Sequence, residues 1–405
     1  MWLIDIWPPL PITIMNETDR PMPEYKIYRA IAHPNRVCEI DLRITYPQLL
    51  GLASSMQKQF LALIHLKLCL VDDGYLTPLP DGFLDGSAPR LQSLWLESIA
   101  FPVLPKLLLS TTDLVHLDIR RIPRRGYFSP ESIVTCLAML TNLESLTIVY
   151  TFSLSRDDRE HAPPPTRTVL PALTHFKFEG GRGYLEKFVS RVDAPLLDTT
   201  YITFHHSPTS DIPQFVQFMW RTTMFQALDK AHVHFDVFGR VKILPSTWSL
   251  GERSGLRISW SQHSSRLDLQ LSSVRQFFTS FFPSIYMAEH LYIYCIRDLP
   301  YNWHYMSENL EWLEIFHPFT SVKNLYVCKE FAQGIADALQ ELVRESTTVL
   351  PALESFFLEQ PLSFESKPVE KAICNFIAAR RLLAHPVTVS FWTQDMRSST
   401  VLRRF

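Results

Sequence analysis

The chain has 405 residues, of which 46% are hydrophobic and 20% are charged, so it can bury a sizeable core and is not expected to be globally disordered. The formal net charge of -2 at pH 7 gives no overall attraction to nucleic acid or to an anionic membrane. No stretch reaches the roughly 18 uninterrupted apolar residues of a membrane helix. The six cysteines lie far apart without a CxxC pair, which favours a reducing compartment. We therefore predict a cytoplasmic or nuclear protein.

A short apolar phrase recurs along the chain. It consists of an apolar residue, two free positions, a second apolar residue, one free position and a third apolar residue. The intervals between the first positions of successive copies are 26, 28, 23, 29, 30, 24, 31, 60, 34 and 31 residues. A degenerate copy around Leu256-Arg257-Ile258 would divide the interval of 60 residues. The other copies are Val37-Ile40-Leu42, Leu63-Leu66-Leu68, Leu91-Leu94-Leu96, Leu114-Leu117-Ile119, Leu143-Leu146-Ile148, Leu173-Phe176-Phe178, Leu197-Thr200-Ile202, Leu228-Ala231-Val233, Ala288-Leu291-Ile293, Val322-Leu325-Val327 and Leu353-Phe356-Leu358.

Helical patterns follow many of these phrases. Apolar residues recur there at intervals of three and four, which is typical of a helix with one buried face. The predicted helices are Pro47–Leu61, Ser132–Leu140, Gln214–Leu228, Ser273–Phe282, Phe331–Val343 and Val369–Leu383. Strand and helix in alternation predict an α/β fold, a leucine-rich-repeat solenoid (horseshoe) with parallel strands on the concave face and helices on the convex face. A doubly wound sheet is the main alternative, but the chain has only 12 glycines and no GxGxxG motif.

The repeat predicts one continuous array without a dividing linker. We expect residues 1–34 to form an N-terminal cap and a first degenerate repeat. Residues 35–405 are expected to form an array of about 12 irregular units that ends in a helix. A charged stretch with three prolines, residues 155–165, is interpreted as a loop between two repeats.

The free positions of the phrase predict a binding surface. If the three apolar positions face the core, the third, fifth and seventh positions of each copy face the concave side. Aromatic residues bury much area at a small entropic cost, and protein-binding surfaces collect them. We therefore predict a protein partner on the concave face, with its main contacts in the C-terminal half. The alternative is that the aromatic side chains pack sideways on neighbouring strands. The candidate residues are Trp95, Tyr201, Tyr292, Tyr294, Tyr326 and Phe357.

Neither a metal site nor a catalytic site is predicted. His65, His116, His175 and His290 share the third position of their copies, but at least one other repeat separates each from the next. Since neighbouring strands stand about 4.8 Å apart, these four side chains cannot converge on one ion. No GxSxG, HExxH or GxxxxGK[ST] motif is present, so we expect a non-enzymatic protein without a cofactor.

Several phrases resemble the basidiomycete fungal F-box-like proteins with degenerate leucine-rich repeats, and the likeness spans nearly the whole chain. The resemblance implies that the repeats hold a protein substrate for a ubiquitin ligase. In that family an F-box of about forty residues docks a Skp-type adaptor and a cullin. We recognise no F-box in this chain, so these two partners are expected only if an F-box exists upstream. The alternative is a stand-alone interaction scaffold with no ligase role. The phrases are His33–Cys38, Leu79–Leu84, Ser87–Leu94, Leu170–Leu173, Ile315–Thr320 and Val322–Tyr326.

Overall fold

The computed structural model shows two compact units, Met1–Leu197 and Asp198–Phe405, called the first and the second unit below. It describes residues 10–16, 24–72, 78–151, 166–205, 212–222, 230–235, 240–246, 255–261, 267–281, 287–295, 309–344, 349–359, 367–382, 385–392 and 403–404.

The first unit contains a parallel sheet whose strands follow one another in sequence order. Its strands are β1 (Ile12–Met15), β2 (Val37–Ile44), β3 (His65–Leu70), β4 (Ser93–Glu97), β5 (His116–Ile122), β6 (Ser145–Tyr150) and β8 (His175–Gly180). Two short strands, β7 (Thr168–Val169) and β9 (Val192–Asp193), pair separately. The helices are α1 (Glu24–Ile31), α2 (Tyr46–Ser55), α3 (Leu104–Leu108), α4 (Pro130–Leu137) and α5 (Arg182–Val189).

The apolar phrase forms the core of this unit. In the second copy Leu63, Leu66 and Leu68 are all buried, and the strand itself begins only at the third position of the phrase. Because successive side chains of a strand point to opposite faces, the second and third apolar residues of the phrase lie on the same side. Neighbouring copies pair in register, as Leu66 with Leu94. The repeat therefore builds a continuous apolar layer beneath the sheet.

Local sequence fixes where two helices of this unit begin. Ser129 caps α4 by accepting a hydrogen bond from the Ser132 amide at 3.1 Å, and Pro130 occupies the first turn. The Gln48 side chain accepts a hydrogen bond from the Thr45 amide at 3.0 Å at the start of α2. Both helices end earlier than their apolar periodicity predicts, at Leu137 and at Ser55.

The second unit contains nine described strands in a sheet whose order departs from the sequence. The order is β10, β13, β12, β11, β14, β15, β16, β17 and β18. The strands are β10 (Thr199–Phe204), β11 (Lys230–Phe235), β12 (Arg240–Ser246), β13 (Gly255–Ser261), β14 (His290–Cys295), β15 (Asn324–Val327), β16 (Ser355–Glu359), β17 (Thr388–Trp392) and β18 (Arg403–Arg404). The helices are α6 (Pro213–Trp220), α7 (Leu267–Phe281), α8 (Asn309–Phe316), α9 (Ala332–Arg344) and α10 (Lys367–Leu382).

The long interval of 60 residues contains two strands where one degenerate copy was expected. The predicted copy is present as β13, with Leu256 and Ile258 buried, and it pairs in parallel with β10. The strand β12 runs antiparallel to both β11 and β13. Because β12 returns the chain, β13 lies before β11 in the sheet although it follows β11 in sequence. The simple ordered array is therefore wrong for this segment.

The boundary between the two compact units falls after Leu197. In the described residues, β17 and β18 follow α10. The predicted cap of residues 1–34 and array of residues 35–405 stay a prediction. Within the described residues, no helix is long and apolar enough to cross a membrane. The charged loop expected at 155–165 lies outside the described residues.

Candidate protein-binding site

The side chains at the third, fifth and seventh positions of the phrase lie on one face of each sheet. We call this face the ladder face. Because parallel strands pair in register, equal positions of neighbouring copies become neighbours across the strands. On the neighbouring strands β11, β14, β15 and β16 of the second unit the fifth positions are His232, Tyr292, Tyr326 and Phe357, paired in that order. We call these four side chains the aromatic ladder.

The rings of the aromatic ladder are stacked nearly flat. The ring centres of His232 and Tyr292 are 4.3 Å apart, those of Tyr292 and Tyr326 are 4.1 Å apart, and those of Tyr326 and Phe357 are 4.3 Å apart. The interplanar angles are 3°, 8° and 7° in the same order. The spacing is close to the strand separation of about 4.8 Å, so the rings stack without pulling the strands out of position.

His232, Tyr326 and Phe357 are the buried members of the ladder, and Tyr292 is partly accessible. Tyr326 is 7% exposed and Phe357 is 6% exposed, whereas Tyr292 is half-buried. Trp392 of β17 meets Tyr326 edge-on at 5.9 Å and donates a hydrogen bond to the Val327 carbonyl at 3.2 Å. Tyr326 and Phe357 thus pack sideways on neighbouring strands. This packing is the alternative to a direct contact with a partner.

Tyr294 lies beside the ladder, and Tyr201 lies on the same face of β10, which β13 and β12 separate from β11. The Tyr294 ring is half-buried and contacts the His234 ring at 3.8 Å. Tyr201 pairs with Arg257 across β10 and β13, and the guanidinium carbon lies 4.9 Å from the ring centre. A guanidinium over an aromatic face is attracted to the ring quadrupole, so the tyrosine holds the exposed arginine in place.

Burial keeps the His232 imidazole neutral near pH 7. Removal from water, reinforced by the charges of Lys230 and His290, lowers the pKa of His232 to about 3. Burial also raises the pKa of Tyr294, against a smaller opposite effect of Arg257. The floor of this face is therefore uncharged at neutral pH, and the described cations lie beside it.

Most fifth positions of the first unit are charged, and Trp95 lies among them. Lys67 forms an ion pair with Asp41 at 2.9 Å, and its ammonium nitrogen lies 5.5 Å from the centre of the Trp95 ring. Arg120, at a seventh position, lies over the same ring at 4.1 Å. The guanidinium donates two hydrogen bonds of 2.7 Å to the Asp118 carboxylate. This pairing raises the pKa of Arg120, so its charge is fixed.

The six candidate residues thus divide between the two units. Trp95 lies among charged side chains in the first unit. Tyr292, Tyr326 and Phe357 belong to the aromatic ladder, with Tyr294 next to it. The role of these residues in binding stays a prediction. Arg257 and Trp392 were missed as part of the surface. His232 was predicted to lie on this face but was not among the candidate contact residues, although the register places it beside Tyr292.

The third-position histidines of the first unit, His65, His116 and His175, alternate with serines in the register of the sheet and are not neighbours. His65 and His116 are exposed and have Ser93 between them in the register of the sheet. A separate group, Cys328, Glu330 and Glu359, places its donor atoms within 4.8 Å of one another. Burial holds the pKa of the Cys328 thiol well above its usual range, so the thiolate that binds metals is disfavoured there. The expected absence of a metal stays a prediction.

The repeated strands, most of them parallel, with their buried phrase and intervening helices, define the α/β repeat fold that the sequence predicts. No family model matches the chain, and no curated protein matches it. Among solved structures, one similar chain is the leucine-rich repeat-containing protein LegL7 from Legionella pneumophila. The identity is 10%, the TM-score is 0.31, and the match covers 90% of this chain and 96% of that chain. So distant a likeness carries no argument about binding.

Proposed function

We propose that this chain is a non-enzymatic repeat module that binds another protein through the ladder face of its second unit. The observation that carries the proposal is the aromatic ladder with Tyr294 beside it. Rings that are already stacked lose little conformational freedom when a partner covers them, so the binding free energy is not spent on ordering them. Tyrosine also combines a large apolar ring with a hydroxyl group, which suits it to a surface that is wet when free.

The burial pattern assigns different roles to the aromatic residues within this proposal. Tyr292 and Tyr294 are half-buried and would contact the partner directly. Tyr326 and Phe357 are buried and would support Tyr292 from the side. Tyr201 would contact the partner through the guanidinium that it holds. Trp95 lies on the ladder face of the first unit and would contribute less.

The resemblance to F-box-like proteins supports a more particular role. We propose that the module is the substrate-recognition part of an F-box-type ubiquitin ligase subunit, in the cytoplasm or the nucleus. A Skp-type adaptor and a cullin would then be partners through an F-box upstream. The alternative is a stand-alone interaction scaffold that binds its target without delivering it to a ligase. The proposed binding face is the same in both cases.

Affinity purification from the native cells, followed by mass spectrometry, tests both levels of the proposal. We expect one reproducible protein partner with the wild-type chain and its loss with Tyr292→Ala/Tyr294→Ala. The matched control is Trp220→Ala, which removes an aromatic ring that is 44% exposed on a helix of the same unit. A partner retained by the tyrosine double variant would contradict the proposed face. Recovery of a Skp-type adaptor and a cullin would support the ligase role, and a reproducible partner without them would support the scaffold.

A further inference from the structure

The ladder face of the second unit has an uneven distribution of charge. Among the described side chains on this face of β10, β11, β13, β14 and β15, the charged residues are Lys230 and Arg257, and carboxylates are absent. The next strand, β16, carries Glu359, whose carboxylate accepts a hydrogen bond from the Lys329 amide at 3.2 Å. The described surface beside the aromatic ladder is therefore cationic, although the whole chain has a formal net charge of -2.

The two cations lie on either side of the strand β12. Val233 pairs with Ile243, and Ile243 pairs with Ile258, so Arg257 stands level with His232. Two strand spacings, about 10 Å, separate their backbones. Lys230 precedes His232 by two residues and points to the same face of β11. The cations thus flank the His232 end of the aromatic ladder.

The titration behaviour of two aromatic neighbours agrees with this placement. Lys230 and His290 both act to lower the pKa of His232, and Arg257 acts to lower the pKa of Tyr294. Nearby positive charge has this effect on both kinds of group, because it disfavours imidazolium and favours phenolate. The two groups lie at neighbouring positions of the ladder face, with ring centres 6.2 Å apart.

We propose that the partner segment is an acidic peptide stretch, with carboxylates at Lys230 and Arg257 and an aromatic or apolar side chain over Tyr292 and Tyr294. This inference rests on the proposed binding face and specifies the chemistry of its partner. The planar guanidinium of Arg257 offers two parallel donors to a carboxylate, and its contact with Tyr201 reduces the freedom that it loses on binding. A basic segment would meet like charge on this surface and would be rejected.

Random copolymers of glutamate and tyrosine, and of lysine and tyrosine, provide probes of equal aromatic content and opposite charge. Labelled copolymers are titrated with the full chain at low ionic strength, and binding is followed by fluorescence anisotropy. We expect the glutamate copolymer to bind and the lysine copolymer not to bind. Raising the salt concentration to about 0.5 M should weaken the complex, because exposed charges are then screened within a few ångströms.

Charge-reversal variants locate the contact. Arg257→Glu and Lys230→Glu should each weaken binding of the glutamate copolymer about tenfold, the size expected for the loss of one charge-assisted contact. Arg257→Lys keeps the charge and should retain most of the affinity. The matched control is Arg43→Glu, which reverses an exposed charge on the ladder face of the first unit and should leave binding unchanged. Circular dichroism confirms that each variant is folded.

The outcomes separate this inference from the proposed function. Absence of binding, equal binding of both copolymers, or an equal loss with Arg43→Glu would overturn the acidic preference. A natural partner that is lost with Tyr292→Ala/Tyr294→Ala but kept with Arg257→Glu and Lys230→Glu would retain the binding face and overturn its charge preference. A partner kept with all of these variants would overturn the proposed function itself.

Discussion

The two units place different chemistry at the same position of the repeat. At the fifth position the first unit has Asp41, Lys67 and Trp95 in register, and the second unit has Tyr292, Tyr326 and Phe357. Both sets use the parallel strand spacing, which brings like positions to about 4.8 Å from one another. At that distance opposite charges form an ion pair in the first unit, and flat rings stack in the second unit. The same backbone thus gives a hydrated, salt-sensitive surface in one unit and a rigid, neutral surface in the other.

The comparison predicts that the aromatic ladder contributes far more stability than the charged positions. Tyr326→Ala removes a buried ring that is stacked on both sides and met edge-on by Trp392, so we expect a loss of about 3 kcal/mol in the free energy of unfolding. Urea unfolding followed by circular dichroism measures this loss. Tyr326→Phe keeps the ring and should cost much less. Equal effects of the two substitutions would mean that stacking is not what stabilises this unit.

A second difference between the units should appear at acidic pH. The pKa of His232 is lowered to about 3 in the folded state, whereas an unfolded histidine has its ordinary pKa of 6.5. Between these two pH values the imidazole is charged in the unfolded state and neutral in the folded state. Stability from this group is therefore fully present above pH 6.5 and is lost as the pH falls. Between pH 7 and pH 5 we expect a loss of about 2 kcal/mol.

Replacement of the imidazole tests this linkage. His232→Phe should reduce the dependence of the unfolding free energy on pH by that amount, with the ring still stacked on Tyr292. His116→Phe is the matched control, because it replaces an exposed histidine on the ladder face of the first unit and should not change the slope. The linkage is refuted if wild type and His232→Phe lose the same stability between these pH values.

The strongest charged contact of the first unit should have a smaller effect. Arg120 donates two hydrogen bonds to Asp118 and lies over Trp95, so Arg120→Ala should cost about 1 kcal/mol. A double-mutant cycle with Asp118→Ala measures the coupling by urea unfolding. Arg120→Lys should lose most of it, since an ammonium cannot form the two parallel bonds. A coupling indistinguishable from zero would leave the contact without a role in stability.

The smallest effect is expected for the more exposed ion pair of the first unit. Lys67 and Asp41 are 2.9 Å apart, with side-chain exposures of 43% and 30%. Since water and salt screen such a pair, Lys67→Ala should cost about 0.5 kcal/mol or less, and 0.5 M salt should remove the difference. Thermal unfolding at low and high salt checks this result. A larger effect that persists in salt would indicate that the contact of Lys67 with Trp95 is the stronger interaction.

The repeat could be read from the sequence because its physical cause is local. Alternation within a strand sends Ile40 and Leu42 to one side, and the same spacing recurs in each copy. The helices α2, α4, α6, α7, α9 and α10 were predicted by their apolar periodicity. The helices α1, α3, α5 and α8 were missed. Of these, α3 has only five residues, too few for a clear period.

The sequence by itself determined the α/β repeat, its buried apolar phrase and the residues that share the ladder face. Only the tertiary structure decided that β12 reverses the strand order, since its pairing depends on residues far apart in the chain. It also decided that Tyr326 and Phe357 are buried while Tyr292 and Tyr294 are partly accessible. A strand pattern specifies the face on which a side chain lies, but its exposure depends on neighbouring strands such as β17 with Trp392.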